Sequence, residues 1–306
     1  MSRRLLTRLG LGMATLICVY VVTFLLVISA PGNPFEGAER NMPPEVVRAL
    51  KARYSMDSEL KYFFQFLWGA IRLDFGPSFQ YHDWTCSQII ADALPVSAAL
   101  GFLAVGLAVL VGVPVGVLSA VKPNGWFDVT SLGFVLLGIS LPTFVTGSAL
   151  LIVFAVWLKV APVGGWGRIA HLPLPALTLS LPFAAYVARL TRAGMLDVLG
   201  SEFIRTALAK GLAPRTVVWK HAFKVAFLPV LSFLGPAAAQ AMTGSFVVEK
   251  VFSIPGMGQH FVNGALNLNR GLVMSTVLAY ATILIVFNIV VDILYTFVDP
   301  RIKEAT

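Results

Sequence analysis

A chain of 306 residues that is 57% hydrophobic and only 12% charged cannot hide its apolar surface in a core of its own, because soluble domains carry about a quarter charged residues. This composition excludes an ordinary soluble enzyme and indicates a protein whose solvent is mostly lipid. The net charge of +8 would suit a nucleic-acid partner, but the basic residues flank apolar runs, and orientation in a bilayer explains that placement better. Cys18 and Cys86 lack metal-ligand spacing and are not expected to form a disulfide.

Six apolar runs are long enough to be transmembrane helices. The first, residues 9–30, is uncharged and lacks the short apolar region and small-residue cleavage site of a signal peptide, so it is predicted to be an uncleaved anchor. In the second run, Gly112-x-x-x-Gly116 predicts close packing against another helix. The later predicted spans cover residues 96–120, 129–157, 173–195, 226–248 and 273–297.

Residues 31–94 are predicted to be an extracytoplasmic helical segment. Pro43-Pro44-Glu45 favours the start of one helix, and Asp57 or Ser58 the start of a second. We expect a small helical cap on the membrane domain, which is compatible with contact to an external partner. The second helix would place an apolar face toward the membrane interface, made of Leu60, Phe63, Phe64, Leu67 and Ile71.

Charge counting gives the orientation. With the N-terminus inside, the inner segments hold thirteen Lys and Arg residues and the short outer loops hold four. The tails 1–8 and 299–306 are therefore predicted to be cytoplasmic, as is the basic loop 196–225 within the membrane core 95–298. Arg215, Lys220 and Lys224 are interpreted mainly as orientation signals.

Signatures of catalysis or ion coupling are missing from the sequence. None of the nine lysines follows a glycine, so there is no Gly-Lys of a phosphate-binding loop, and no His-Glu-x-x-His occurs. Gly244-Ser245 with His260 leaves an intramembrane hydrolase as a formal alternative to a packing site and a loop histidine. The span interiors lack the ionisable groups that a secondary carrier normally needs, so energy is expected to enter from a partner. The alternative is a self-sufficient secondary carrier or channel for a small polar solute.

The basic loop carries a recognisable pattern. Arg205-Thr206-Ala207 is followed by three residues, then by Gly211, and His221 comes ten positions later. This resembles the conserved cytoplasmic loop of ABC-importer permease subunits, Glu-Ala-Ala, three residues, Gly, nine residues, then Ile-x-Leu-Pro. The Arg-Thr-Ala start and the histidine depart from that general pattern and resemble the dipeptide/oligopeptide branch. Further stretches resemble the B-type subunit of that branch, namely residues 30–35, 74–78, 249–258 and Asp299-Pro300.

The resemblance implies an all-α polytopic membrane protein with the type I ABC importer permease fold, six transmembrane helices and both termini cytoplasmic. It implies a multi-pass protein of the bacterial inner membrane that takes part in binding-protein-dependent oligopeptide or dipeptide transport. The implied partners are a second homologous permease, two ABC ATPase subunits and an extracytoplasmic peptide-binding protein. ATP would be bound by the partner subunits, so the chain itself is expected to hold no cofactor or metal and to be no enzyme.

Two groups of candidate site residues follow. A short helix before Gly211 and a break after it would form a knob for an ATPase cleft, where Arg205 and Lys210 could meet acidic groups or helix C-termini. His221 is expected to have a structural role in this loop. On the outer side, the chain from Glu249 to Gly258 is hypothesised to fold inward at the mouth of the translocation path. Glu249 would then either attract the amino terminus of a peptide or form a structural salt bridge. The predicted coupling residues are Arg205, Thr206, Ala207, Lys210, Gly211 and His221, and the predicted outer-mouth residues are Glu249, Pro255, Gly256 and Gly258.

Overall fold

The computed structural model describes residues 2–31, 45, 58–79, 81 and 83–298 of the chain. The helix predicted to start at Pro43 and the C-terminal segment 299–306 lie outside the described residues, as does most of the resemblance motif 30–35. Within the described residues the secondary structure is helical, and β pairing is confined to an isolated antiparallel bridge between Pro77 and Thr85.

The described helices follow the apolar runs. The α-helices are Ser2–Ser29, Glu59–Ile71, Cys86–Val121, Trp126–Ser140, Thr143–Leu150, Pro173–Leu199, Glu202–Ala209, Pro214–Thr216, Phe223–Ala226, Leu228–Thr243, Phe246–Val251, Met257–Leu266 and Arg270–Val298. Two π-helical turns, Leu151–Trp157 and Val217–Ala222, and a 3-10 turn, Ile169–His171, complete them.

Five described stretches are long and apolar enough to cross a membrane, and a bent pair makes a sixth if it counts as one span. We number them in chain order as spans 1 to 6, with the bent pair as span 3. They are Leu6–Ser29, Cys86–Val121, Trp126–Ser140 with Thr143–Trp157, Ile169–Leu199, Leu228–Val251 and Arg270–Ile293.

Two boundaries differ from the sequence prediction. Span 3 was expected as one helix over 129–157, but its halves meet at 107° because Pro142 cannot continue the helix and pushes Leu141 to extended dihedrals. Span 2 begins at Cys86, ten residues before the predicted 96, so residues 86–94 belong to this helix and not to a separate segment. At 36 residues it is about 54 Å long, which is more than one crossing of the roughly 30 Å of hydrocarbon requires.

The described chain divides into two compact units. Among the described residues, the larger unit comprises Ala98–Ile254 and those from Leu284 to Val298, and the smaller comprises those within Ser2–Ser97 and Pro255–Ile283. In the larger unit, span 2 approaches span 4 through the predicted small residues. A Cβ at Gly116 would lie 2.5 Å from the carbonyl oxygen of Ala188, and one at Gly112 would lie 2.6 Å from that of Ala184. The predicted close helix approach is therefore confirmed, and only glycine fits it.

The smaller unit packs aromatic side chains between helix Glu59–Ile71 and the neighbouring spans. Phe66 is buried against Tyr20 and Phe24 of span 1 and Met274 of span 6. The Tyr20 hydroxyl donates to the carbonyl oxygen of Phe63 at 2.6 Å, which ties the helix to span 1.

The apolar face predicted for this helix is divided in the structure. Phe63 and Leu67 pack inward with Phe66, whereas Leu60, Phe64 and Ile71 are exposed. The helix is apolar over more than one face, and the aromatic cluster on span 1 selects which part is buried. The helix begins where the sequence indicates, since the Ser58 side chain accepts from the backbone N–H of Lys61.

Candidate coupling surface

Helix Glu202–Ala209, here called the coupling helix, starts with favourable end chemistry. Ser201 occupies the N-cap position with extended dihedrals, and Glu202 places a carboxylate in the first turn, near the positive end of the helix dipole. Arg205 donates to the Glu202 carboxylate at 2.9 Å, and the Thr206 hydroxyl donates to the Glu202 carbonyl at 2.9 Å. Both interactions stay on the exposed side, so the helix is stabilised locally without using its buried face.

The end of the coupling helix explains the glycine in the sequence pattern. Gly211 has φ +81°, a left-handed conformation that side chains other than glycine adopt at a cost. The N–H of Gly211 donates to the carbonyl oxygen of Leu208 at 2.9 Å, and the N–H of Leu212 donates to the carbonyl oxygen of Ala207 at 3.3 Å. These two bonds form a Schellman motif, which satisfies the last carbonyls and reverses the chain. The break predicted after Gly211 is present and has this physical cause.

The underside of the coupling helix rests on the helices of the larger unit. Ile204 is 1% exposed and Ala207 is 9% exposed, so these two residues form the contact face. They belong to a buried apolar cluster that includes side chains from spans 2, 4 and 5 and from the segment after Gly211. Other members of the cluster are Val113, Val117, Val187, Met195, Val217 and Val230. The buried face of the coupling helix thus shares one apolar cluster with spans 2, 4 and 5.

The outer face mixes apolar and basic groups. Phe203 and Leu208 are about half exposed, beside the exposed Arg205, Thr206 and Lys210. The following segment adds two more exposed apolar side chains, Leu212 and Trp219. His221 lies in the π-helical turn Val217–Ala222 and is half-buried. The structure thus brings the predicted coupling residues Arg205, Thr206, Lys210 and Gly211 to one exposed helix end, while Ala207 faces inward and His221 lies in the next turn.

Sequence reasoning missed a buried ion pair beside this region. Asp128, in the first turn of span 3, is 1% exposed and accepts from the Arg192 side chain of span 4 in a bidentate pair at 2.6 and 2.7 Å. The backbone N–H of Asn124 donates to the same carboxylate at 2.8 Å. The sequence contains a signal for this pair, since Asp128 near the start of span 3 and Arg192 near the end of span 4 are both predicted to lie at the cytoplasmic side.

The predicted outer-mouth residues fall into two groups that the structure describes separately. In the larger unit, Glu249 is fully buried and its carboxylate contacts the Ser245 hydroxyl at 2.5 Å. The backbone after it turns back, because the N–H of Ile254 donates to the Glu249 carbonyl at 2.8 Å. The Ser245 hydroxyl that the hydrolase alternative needs is thus enclosed with a carboxylate.

In the smaller unit the irregular stretch is shorter than expected. Pro255 is exposed and Gly256 is buried, but helix Met257–Leu266 already starts at Met257, so Gly258 is helical. The N–H of Met257 donates to the hydroxyl oxygen of Ser97 at 2.8 Å, which satisfies one of the backbone donors that the first turn of a helix leaves without a partner. His260, in the same helix, packs edge-on to Tyr81, and burial lowers its pKa. A contact of Glu249 or these glycines with substrate stays a prediction.

Comparisons with known proteins agree with this architecture. Residues 112–304 match the family described as binding-protein-dependent transport system inner membrane component. The chain is 44% identical over 306 residues to the oligopeptide transport system permease protein OppB of Salmonella typhimurium, covering 99% of this chain and 100% of the relative. It is 39% identical over 305 residues to the dipeptide transport system permease protein DppB of Bacillus subtilis, covering 99% of this chain and 98% of the relative.

Solved structures show the same fold at low sequence identity. Two inward-facing structures of the MetNI methionine ABC transporter match with TM-scores of 0.54 and 0.57 at 19% and 20% identity. Each match covers 69% of this chain and 97% of the other. The type I importer permease fold and the permease resemblance drawn from the basic loop are thereby confirmed. The chain belongs to the binding-protein-dependent transport system inner membrane components, and it is the permease subunit of an ABC importer in the bacterial cytoplasmic membrane.

Proposed function

We propose that this permease subunit imports oligopeptides or dipeptides, and that ATP-driven motion enters the chain through the coupling helix. The observation that carries the second part is the two-sided construction of this helix. Its inner face, Ile204 and Ala207, belongs to the apolar cluster of spans 2, 4 and 5, and its outer face presents Phe203, Arg205 and Lys210 to a partner. An exposed helix end with apolar and basic groups fits a cleft lined by apolar and acidic groups.

We infer the partners from the permease family to which the chain belongs. A second homologous permease completes the translocation path, two ABC ATPase subunits bind and hydrolyse ATP, and an extracytoplasmic binding protein delivers the substrate. The chain itself carries out no catalysis and holds no cofactor in this proposal. The relatives named as oligopeptide and dipeptide permeases support a peptide substrate. The binding protein, which meets the substrate first, sets peptide length and side-chain preference.

A paired substitution tests the entry point. The double variant Lys210→Glu with Gly211→Asp inverts a charge on the outer face and places a side chain at a position of positive φ. The matched control, Arg215→Glu with Lys220→Glu, changes basic residues beyond the break that are interpreted as orientation signals. Each chain is purified with its partner subunits and reconstituted in vesicles. Assembly, ATP hydrolysis and ATP-driven peptide uptake are measured.

We expect the first variant to lose at least ten-fold in ATP-driven uptake, while the control keeps most of it. Intact uptake in the Lys210→Glu, Gly211→Asp variant would contradict entry through the coupling helix. Peptide uptake by this chain alone in vesicles without ATP would favour the self-sufficient carrier.

Replacing Glu249 by Gln separates its two possible roles. A loss of uptake with normal assembly indicates substrate contact, and an equal loss of uptake and assembly indicates a structural role.

A further inference from the structure

We propose that helix Glu59–Ile71, here called the aromatic helix, is an interfacial helix whose exposed apolar stripe lies among the lipid acyl chains beside span 1. The stripe consists of Leu60, Phe64, Trp68 and Ile71, which follow one another at helical spacing on one side. Their exposed fractions are 73%, 64%, 57% and 69%. Four large apolar side chains in one stripe are too many for a surface that faces only water.

The helix has three distinct sides. One side packs on the protein through Tyr62, Phe63, Phe66, Leu67 and Ala70. The apolar stripe is next to it, and the polar edge beyond the stripe carries Lys61, Gln65 and Arg72, all exposed. One side of this helix rests on protein, and its other two sides are apolar and polar. Such a helix fits the boundary between hydrocarbon and headgroups, because the apolar side then meets acyl chains and the polar side meets headgroups and water.

The packing partners set the depth of the helix. Tyr20, whose hydroxyl binds the Phe63 carbonyl, lies nine residues before Ser29, which is about 13 Å along span 1 from its end. Met274, which packs in the same cluster, lies four residues after Arg270, about 6 Å into span 6. Measured from the helix ends, span 6 therefore meets the aromatic helix within the depth of about 5–10 Å at which interfacial helices sit, and span 1 meets it slightly deeper.

Lipid is favoured as the occupant because the helix rests on a predicted transmembrane span that itself exposes apolar side chains. Span 1, on which the helix rests, exposes Ile17, Val21 and Leu25, and a transmembrane span presents such residues to acyl chains. At the end of the stripe, the Arg72 guanidinium lies over the Trp68 ring at 4.5 Å from its centroid. Tryptophan and arginine side by side suit the headgroup level, where the ring stays in the apolar layer and the cation reaches the phosphates.

Spin-label accessibility tests this placement in the full chain, assembled with its partners in vesicles of phosphatidylethanolamine and phosphatidylglycerol. The label is attached at Phe64→Cys on the stripe and, as a matched control one residue on, at Gln65→Cys on the polar edge. The background carries Cys18→Ser, because Cys18 is exposed, whereas Cys86 is fully buried and stays. Leu60→Cys provides a second stripe position if the Phe64 variant does not assemble.

The expected result is that the label at 64 collides several-fold more with oxygen, which dissolves in hydrocarbon, than with a water-soluble nickel chelate. The label at 65 should show the reverse preference. Frequent collision of the label at 64 with the nickel chelate would place the stripe in water and overturn the proposal. Low accessibility to both reagents would mean that a protein surface, from the second permease or the binding protein, covers the stripe, and this would overturn it as well.

Discussion

The coupling helix and the aromatic helix are built alike and differ in what they leave uncovered. Each is short, begins with a serine at its N-cap and a glutamate in its first turn, and packs one face on the ends of longer spans. The coupling helix buries the small aliphatic pair Ile204 and Ala207 and exposes a mixed apolar and basic face. The aromatic helix buries rings and exposes an almost purely apolar stripe. The buried face therefore fixes a helix to its unit, while the uncovered face specifies the medium or partner that it meets.

The largest effect is expected at the buried face of the aromatic helix. Phe66→Ala removes a 6% exposed ring from the cluster with Tyr20, Phe24 and Met274, and should cost about 4 kcal/mol in transfer and cavity terms. The matched variant Phe64→Ala removes the same side chain from the exposed stripe and should leave the detergent-solubilised stability nearly unchanged. Thermal unfolding of the purified chain, with amide exchange over residues 59–71, measures both.

Equal destabilisation by the two phenylalanine variants would show that the exposed stripe also contacts protein within the chain. The distinction between a holding face and an uncovered face would then fail for this helix. A loss of stability in the Phe66 variant alone would support this distinction.

A smaller effect is expected from the ion pair near the coupling helix. Arg192→Leu leaves the buried Asp128 carboxylate without its bidentate partner and should destabilise the larger unit by about 3 kcal/mol. Because the bidentate geometry is lost, Arg192→Lys should recover only part of the stability. The double variant with Asp128→Leu should recover more, since no unpaired charge remains. Thermal unfolding of the parent chain, Arg192→Leu, Asp128→Leu and the double variant gives the double-mutant cycle, and additive losses would contradict a direct interaction.

The smallest effect is expected at the end of the coupling helix. Gly211→Ala forces a side chain into φ +81° at a place where its Cβ meets no atom within 4 Å, so the cost is conformational and about 1–2 kcal/mol. Gly211→Asn should cost less, because asparagine tolerates this conformation. Amide exchange of residues 207–212 reports the loss. Gly106→Ala in span 2, which also meets no atom and is helical, should be neutral or stabilising and serves as the control.

Much of the fold was predictable from hydropathy and end signals. The uncharged runs predicted the spans, Asp57 or Ser58 was predicted to start the aromatic helix, and the glycine pair in span 2 predicted a close helix contact, which the structure makes with span 4. The candidate coupling surface was predictable as well, since Gly211 and Pro214 mark the break and the basic residues mark the exposed side. These features are local or periodic, so a single stretch of sequence contains the information.

Other features could not be predicted in this way, because they depend on which residues meet. Asp128 and Arg192 are 64 positions apart and pair only because spans 3 and 4 pack with these ends together. The burial of Glu249 with Ser245 and the start of helix Met257–Leu266 depend on neighbours that the sequence order does not show. The division of the aromatic helix into a ring-packed side and an exposed stripe likewise required the position of Tyr20 on span 1.

The sequence by itself determined that this chain is a membrane protein and where most of its helices run, and its basic loop 196–225 resembles that of a permease. Hydropathy and periodicity act within one segment and are sufficient for the first two conclusions, whereas the third rests on the resemblance. Only the tertiary structure decided how these segments support one another. It placed Ile204 and Ala207 against three spans, paired Asp128 with Arg192, and left one apolar stripe of the aromatic helix uncovered, because packing selects among faces that are equally apolar in sequence.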